Sequence, residues 1–224
     1  MDWKPGRFGW LLASLVGLLF VTPFLELLEL PIPRSRLLSS VVLLAGMYSL
    51  RRDPWMFRAG FMLAALALVS AWLSQQFTYP ALVLADFLLT GGFLSLTTAL
   101  ILGAILSENR VTLDTVMGGV CIYLLLGVLW VSLYSALEYM LPGSFTLQGL
   151  PLSELADATA EVHRYPQLLY FSFVTLTTLG YGDVVPTNPV ARALASGEAI
   201  VGQVYLGVFV ASLVGLHLAH RQRV

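Results

Sequence analysis

The residues Thr178-Leu179-Gly180-Tyr181-Gly182-Asp183 set two glycines, a tyrosine and an aspartate between a short apolar segment and a long one. Glycine inside a helix costs ~1 kcal/mol relative to alanine, so a helix is expected to break here. Irregular backbone at membrane depth survives only when it is buried in protein or lines water, because hydrocarbon cannot hydrogen-bond to it. The chemistry on offer is therefore that of main-chain polar groups facing a wet cavity. Side-chain catalysis has no comparable constellation. The chain contains neither H-E-x-x-H nor G-x-S-x-G, and His163, His217 and His220 all fall at or beyond the ends of apolar segments. The expectation is a protein that is no enzyme and carries no organic cofactor. The single cysteine, Cys121, lies in an apolar run and reads as a buried thiol acting as a small hydrophobe.

The elements that must hold this segment are mostly oily. Of 224 residues, 58% are hydrophobic and 11% charged, with a mean hydropathy of +0.82. A soluble domain carries about 25% charge, so the composition points to a membrane protein. The net charge of −1 and the lack of a Lys/Arg tract argue against nucleic acid as a partner. A spanning helix needs roughly 20 mainly apolar residues. Phe8–Leu28, Met56–Leu73, Leu82–Leu106, Leu113–Met140 and Ala191–His220 qualify. Leu37–Leu50 is short and spans only if Pro33–Arg36 form its first turn. The first apolar run is followed by "VTPFLELLEL" and no small-residue cleavage site, so it is expected to be retained as a helix.

Lys and Arg set the orientation. With six spans and a cytoplasmic N-terminus, Lys4, Arg7, Arg51, Arg52, Arg58, Arg110, Arg221 and Arg223 lie inside and Arg34, Arg36, Arg164 and Arg192 outside. Five spans give the same balance, and both arrangements put the glycine segment outside and the C-terminus in the cytoplasm. Between the last two spans, "PGSFTLQGLPLSELADATAEVHRYP" reads as a surface turret, acidic through Glu154, Asp157 and Glu161. "PQLLYFSFVTLTT" follows, too short to cross, with Pro166 suited to a first helical position. It is a candidate re-entrant helix.

"TLTTLGYGD" resembles the selectivity filter of potassium channels, T-x-x-T-V/I-G-Y-G-D, in the tetrameric pore-loop cation channel superfamily. Thr175, Thr178, Gly180, Tyr181, Gly182 and Asp183 match, and Leu179 replaces the commoner Val or Ile. The resemblance implies K+ bound by the carbonyls of Thr178, Leu179, Gly180 and Tyr181 and by the Thr178 hydroxyl, replacing the ion's hydration shell. Glycine reaches positive φ at little cost, which accounts for Gly180 and Gly182. The C-terminal partial negative charge of the short helix is expected to favour a cation below the filter. Tyr170, Phe171, Val174 and Thr175 occupy filter-support positions. Many relatives have tryptophans where Tyr170 and Phe171 stand, and some have a glutamate at Val174. Phe171 and Val174 cannot donate a hydrogen bond, so Tyr170 is expected to hold Asp183. Tyr181 with Tyr170 and Phe171 is expected to form an aromatic cuff.

"GEAIVGQVYLGVFVASLVGLH" is similar to the inner helix of small bacterial six-helix members of this family. Gly202 takes the position of a bending glycine, and Gln203, Leu206, Gly207, Val210, Ala211 and Val214 share a face that the resemblance assigns to the inner cavity, with a constriction near Val210 and Val214. Gly207, Ala211 and Gly215 repeat at four-residue steps that suit close helix approach in lipid. Glu198 points away from Gln203 and is expected to make a structural contact behind the short helix; Asp86 is weighed against a plain interfacial position. The fourth span, "LVLADFLLTGGFLSLTTALILGAIL", holds no Lys or Arg, so no arginine voltage sensor is expected.

The full expectation is an all-α membrane protein with six transmembrane helices per subunit and a pore loop between the fifth and sixth. A four-helix module, 1–110, precedes a pore domain, 111–224, with outer helix 113–140, turret 141–165, pore helix 166–177, filter 178–183 and inner helix 191–220. One filter per chain implies three identical partner subunits around one axis, in a bacterial plasma membrane. The resemblance implies passive K+ conduction. A non-selective cation channel and a potassium uptake transporter subunit are the alternatives. Only four residues follow His220, so no cytoplasmic ligand-binding domain is expected.

Overall fold

The computed structural model describes residues 8–27, 54–77, 79–107, 112–154 and 160–221. Five long helices, a shorter one and a small sheet make up this part. In chain order they are α1 (Gly9–Leu27), α2 (Pro54–Gln76), α3 (Pro80–Leu106), α4 (Leu113–Met140), β1 (Phe145–Leu147), β2 (Leu150–Pro151), α5 (Ala160–Leu176), β3 (Val184–Pro186) and α6 (Pro189–Arg221). Among the described residues three helices are long and apolar enough to cross a membrane: Pro80–Leu106, Leu113–Met140 and Pro189–Gly215. Gly9–Val21 and Gly60–Ser74 are shorter apolar stretches. Leu37–Leu50, on which the six-span count turns, lies outside the described residues, as do most of the Lys and Arg that set the orientation.

Helix starts follow local chemistry. Thr112 caps α4, its hydroxyl accepting from the Thr115 amide at 3.1 Å while the Thr112 amide donates to Thr115 Oγ1 at 3.3 Å. Asn188 caps α6, its Oδ1 accepting from the Ala191 amide at 2.8 Å. Pro189, which has no N–H to lose, stands at the first helical position. That cap starts the inner helix two residues before the expected Ala191.

Lipid tails are as apolar as leucine, so helices in a bilayer associate by close packing and hydrogen bonds. The packing centres on α4, which touches α1, α3, α5 and α6, while α2 packs on α3. Its glycines admit aromatic rings from three sides: a Cβ on Gly118 would meet the Phe8 ring at 2.9 Å, one on Gly127 the Phe173 ring at 2.6 Å, and one on Gly119 would overlap the Phe209 ring. Cys121 is buried beside α1, its thiol 3.7 Å from the Phe8 carbonyl. Outward, Trp10, Phe20, Phe61, Met62, Trp72 and Leu88 are exposed, an apolar exterior suited to lipid.

Two expectations are corrected. The fold is mostly helical but not all-α: the turret carries an antiparallel sheet in the order β2-β1-β3. Leu147 pairs with Leu150, and Phe145 with Pro186. Strands of two or three residues are too short to show an alternating pattern in sequence. The short helix begins at Ala160 and not at Pro166, which lies inside it. A proline there removes the N–H that would reach the Val162 carbonyl one turn back and crowds that carbonyl with its ring.

Candidate functional site

The segment 178–183 is held between the end of α5 and the start of β3. The last turn of α5 closes with the Leu179 amide donating to the Val174 carbonyl at 2.9 Å and the Thr178 amide to the Thr175 carbonyl at 2.9 Å. This is a Schellman ending, whose first residue past the cap takes the left-handed region and is usually glycine. Here that residue is Thr178, at φ 58°. Gly180 at φ 60° and Gly182 at φ 80° follow, so every second residue of the run has positive φ. Such a conformation costs a residue with a side chain ~1–3 kcal/mol and persists where its surroundings over-determine it. The positive φ of both glycines is what the sequence requires; that of Thr178 is visible only once the helix ending is known.

Val174 and Thr175 act through main-chain oxygens. The Val174 carbonyl also receives the Gly180 amide at 3.4 Å, and the Leu176 carbonyl accepts from the Tyr123 hydroxyl of α4 at 3.2 Å. By contrast, among the described residues no hydrogen bond ends on the carbonyl oxygens of Thr178, Leu179, Gly180 or Tyr181. Thr178 through Gly182 are all exposed, Tyr181 at 68%.

The outer end of the run is tied down. Tyr170 donates to Asp183 Oδ2 at 2.7 Å, the pairing expected from the sequence, and the Val184 amide donates to Oδ1 at 3.0 Å. The Tyr170 hydroxyl holds the Asp183 carboxyl below the usual carboxylate range, against an opposing effect of burial. The Gln148 amide of the turret donates to the Asp183 carbonyl at 2.8 Å. Thr187 donates to the Gly143 carbonyl at 2.6 Å, and Asn188 Nδ2 to Ser144 Oγ at 2.7 Å. The turret thus clamps the segment through β1 and β3.

Within the chain, Tyr170 and Phe171, expected to share a cuff with Tyr181, face different ways. Phe171 is buried on the other side, with ring centroids 5.2 Å from both Tyr134 and Phe145. Tyr181 stacks on neither Phe171 nor Tyr170 among the described residues. The pattern of Phe171 on α5 explains this: it sits next to Tyr170 in sequence and therefore on a different face of the helix.

On α6, Glu198, Gly202, Tyr205 and Phe209 face the interior. Gly202 is buried, and a Cβ there would stand 2.5 Å from the Leu176 carbonyl oxygen. Its observed role is close approach of α6 to the end of α5. Tyr205 donates to the Gly119 carbonyl at 2.7 Å. Gln203, Leu206, Gly207, Val210, Ala211 and Val214 are all exposed, on the face opposite that contact. The side chains of His163, His217 and His220 lie outside the described residues. Asp86 receives the Ser70 hydroxyl at 3.2 Å, joining α2 to α3.

Three supporting residues escaped the sequence reading. Glu138, buried at 2%, accepts the Gly143 amide at 2.8 Å and the Phe145 amide at 3.0 Å, fixing the turret to α4. Its signal was that, after Asp114, it is the sole charged residue of the outer helix. Tyr134 and Ser172 converge on Glu198, which is fully buried between α4, α5 and α6.

Residues 118–216 match a family model described as an ion channel. The match runs from α4 into α6 and takes in the whole glycine segment. Over 92 residues, 41% of this chain, the sequence is 34% identical to two pore potassium channel c of Oryza sativa subsp. japonica. It is 34% identical over 103 residues, 46% of the chain, to two pore potassium channel a of the same plant. Over 46 residues, 20% of the chain, it is 41% identical to potassium voltage-gated channel subfamily KQT member 4 of Homo sapiens, of which 7% is covered. The chain spans 16% and 24% of the lengths of the two rice relatives. No solved structure matches the chain. The apolar helices support an integral membrane protein, and residues 118–216 are similar to ion channels, potassium channels among them.

Proposed function

We propose that the chain is one subunit of a potassium-selective channel, in which four copies set their 178–183 loops around a common axis and pass K+ passively. The observation that carries this reading is the run of four successive carbonyls, Thr178 to Tyr181, without hydrogen-bond partners among the described residues. A K+ ion leaving water regains its ligands from rings of such oxygens. One loop offers oxygens from one side only, so an axis needs further copies; no nucleic acid or organic cofactor enters. Around the exposed edge of α5 an apolar recess lined by Leu19, Leu169, Tyr170, Phe173 and Val174 gives a neighbouring subunit a place to pack.

The exposed face bearing Gln203, Leu206, Val210, Ala211 and Val214 lines the cavity beneath the filter, with Val210 and Val214 at its narrow part. The filter faces outward and the C-terminus the cytoplasm, in a bacterial plasma membrane. The channel carries no arginine voltage sensor, since Pro80–Leu106 contains no Lys or Arg. The names of the relatives agree in the ion, and one of the three also names voltage gating.

Purified protein in liposomes under opposed K+ and Na+ gradients tests the reading. The expected reversal potential lies close to that of K+. A value midway between the two ions overturns selectivity and indicates a non-selective cation channel. A flux locked in fixed ratio to a second ion indicates a transporter subunit.

A further inference from the structure

A single carboxyl group joins the three helices that frame the filter. Glu198 of α6 is 0% exposed. Tyr134 of α4 donates to its Oε2. Its Oε1 lies 2.5 Å from the hydroxyl oxygen of Ser172 on α5, itself 0% exposed. That same Ser172 oxygen lies 2.8 Å from the main-chain carbonyl of Gly127 on α4.

Counting hydrogens decides how these contacts are made. A carbonyl can only accept, and a serine hydroxyl has one hydrogen to give. The contact with Gly127 uses it. Tyr134 spends its own hydrogen on Oε2. The contact between Ser172 and Oε1 then lacks a hydrogen unless the carboxyl group supplies one. An ionised Glu198 would set two bare acceptors 2.5 Å apart in a dry interior. Among the described residues no Lys, Arg or His pairs with it, and a buried charge without a partner is strongly disfavoured.

We propose that Glu198 is a neutral carboxylic acid that donates to Ser172, completing a chain from Glu198 through Ser172 to the Gly127 carbonyl, and that this chain makes Glu198 a positioning residue for the filter. Ser172 stands on α5, six residues before Thr178, which lies just past the end of that helix, so a displaced α5 carries the carbonyl run with it. The inference rests on reading residues 178–183 as the filter, but the protonation of Glu198 is tested apart from it.

Glu198→Gln keeps both bonds, because its NH2 group donates to Ser172 and its C=O accepts from Tyr134. The expected result is K+ flux within about twofold of the unaltered protein and an unchanged reversal potential. Glu198→Ala is expected to lose flux about tenfold, and Ser172→Ala with it, the double variant being no worse than either single one. In infrared difference spectra, unaltered protein minus Glu198→Gln shows the carbonyl stretch of a protonated carboxylic acid, shifted in heavy water. That measurement needs only folded protein and stands whether or not K+ is conducted. A carboxylate band in its place, or a Glu198→Gln variant as damaged as Glu198→Ala, overturns the proposal.

Discussion

Asp183 accepts one hydrogen bond on each carboxylate oxygen, from Tyr170 and from its neighbour's amide, and both favour the charged form. The same Tyr170 bond pushes that hydroxyl up to about 12. Because the Asp183 carboxyl is held low in the folded state, the stabilisation is complete above the ordinary carboxylate value, about 4. It fades as pH falls through the lower, folded value. Removing the hydroxyl with Tyr170→Phe should move that acid loss upward, toward the ordinary value. K+ efflux from liposomes, followed between about pH 7 and pH 3, checks it; identical acid profiles for the two proteins would mean that the bond does not hold the outer mouth. At Gly182, φ of 80° makes alanine costly, by ~1–2 kcal/mol for the left-handed region. Gly182→Ala should lower the melting temperature of the assembled protein, while D-alanine introduced by semisynthesis should restore it.

At the scale of elements, glycines decide where helices touch, and what each one touches decides whether damage can be repaired. Gly127→Ala meets the Phe173 ring, the end of a side chain, so adding Phe173→Ala should recover part of the loss. Gly202→Ala meets the Leu176 carbonyl, which is main chain. Overpacking there costs ~1–3 kcal/mol and pushes α5 and its loop outward. Trimming Leu176 to alanine should not restore K+ flux to Gly202→Ala, and full recovery would place the obstruction elsewhere. Much of this layer was legible: Leu113–Met140 has the bounds that its apolar run predicts, since its start is marked by Thr112 and its end by Pro142 and Gly143. The turret sheet was not, because its strands are too short to show a period and the pairing of β1 with β3 joins residues some forty positions apart. Pro166 misled because proline suits a helix start better than a helix interior, and here contacts made further along α5 override that preference. Glu138 and Ser172 were hidden for a related reason: their partners come from other elements, and one sequence does not show which faces meet.

For the whole molecule, each sensor charge moved through the field supplies about 2.3 kcal/mol per 100 mV. With no Lys or Arg in Pro80–Leu106, conductance in planar bilayers should vary only shallowly with voltage. A steep sigmoid would mean that charge moves elsewhere in the chain. Assembly is the second property of this scale: mass measured in mild detergent should correspond to four chains. Interior contacts of α6 are gathered at Glu198, Gly202, Tyr205 and Phe209, and toward its C-terminal end Val210, Ala211, Val214 and Gly215 are open to the surroundings. In the proposed channel a swing of that helix is therefore expected to turn near Phe209. In that channel the upper half, joined to α4 and α5, serves as a stator beside the filter, and a closure made by the lower half leaves the ion ladder above it standing.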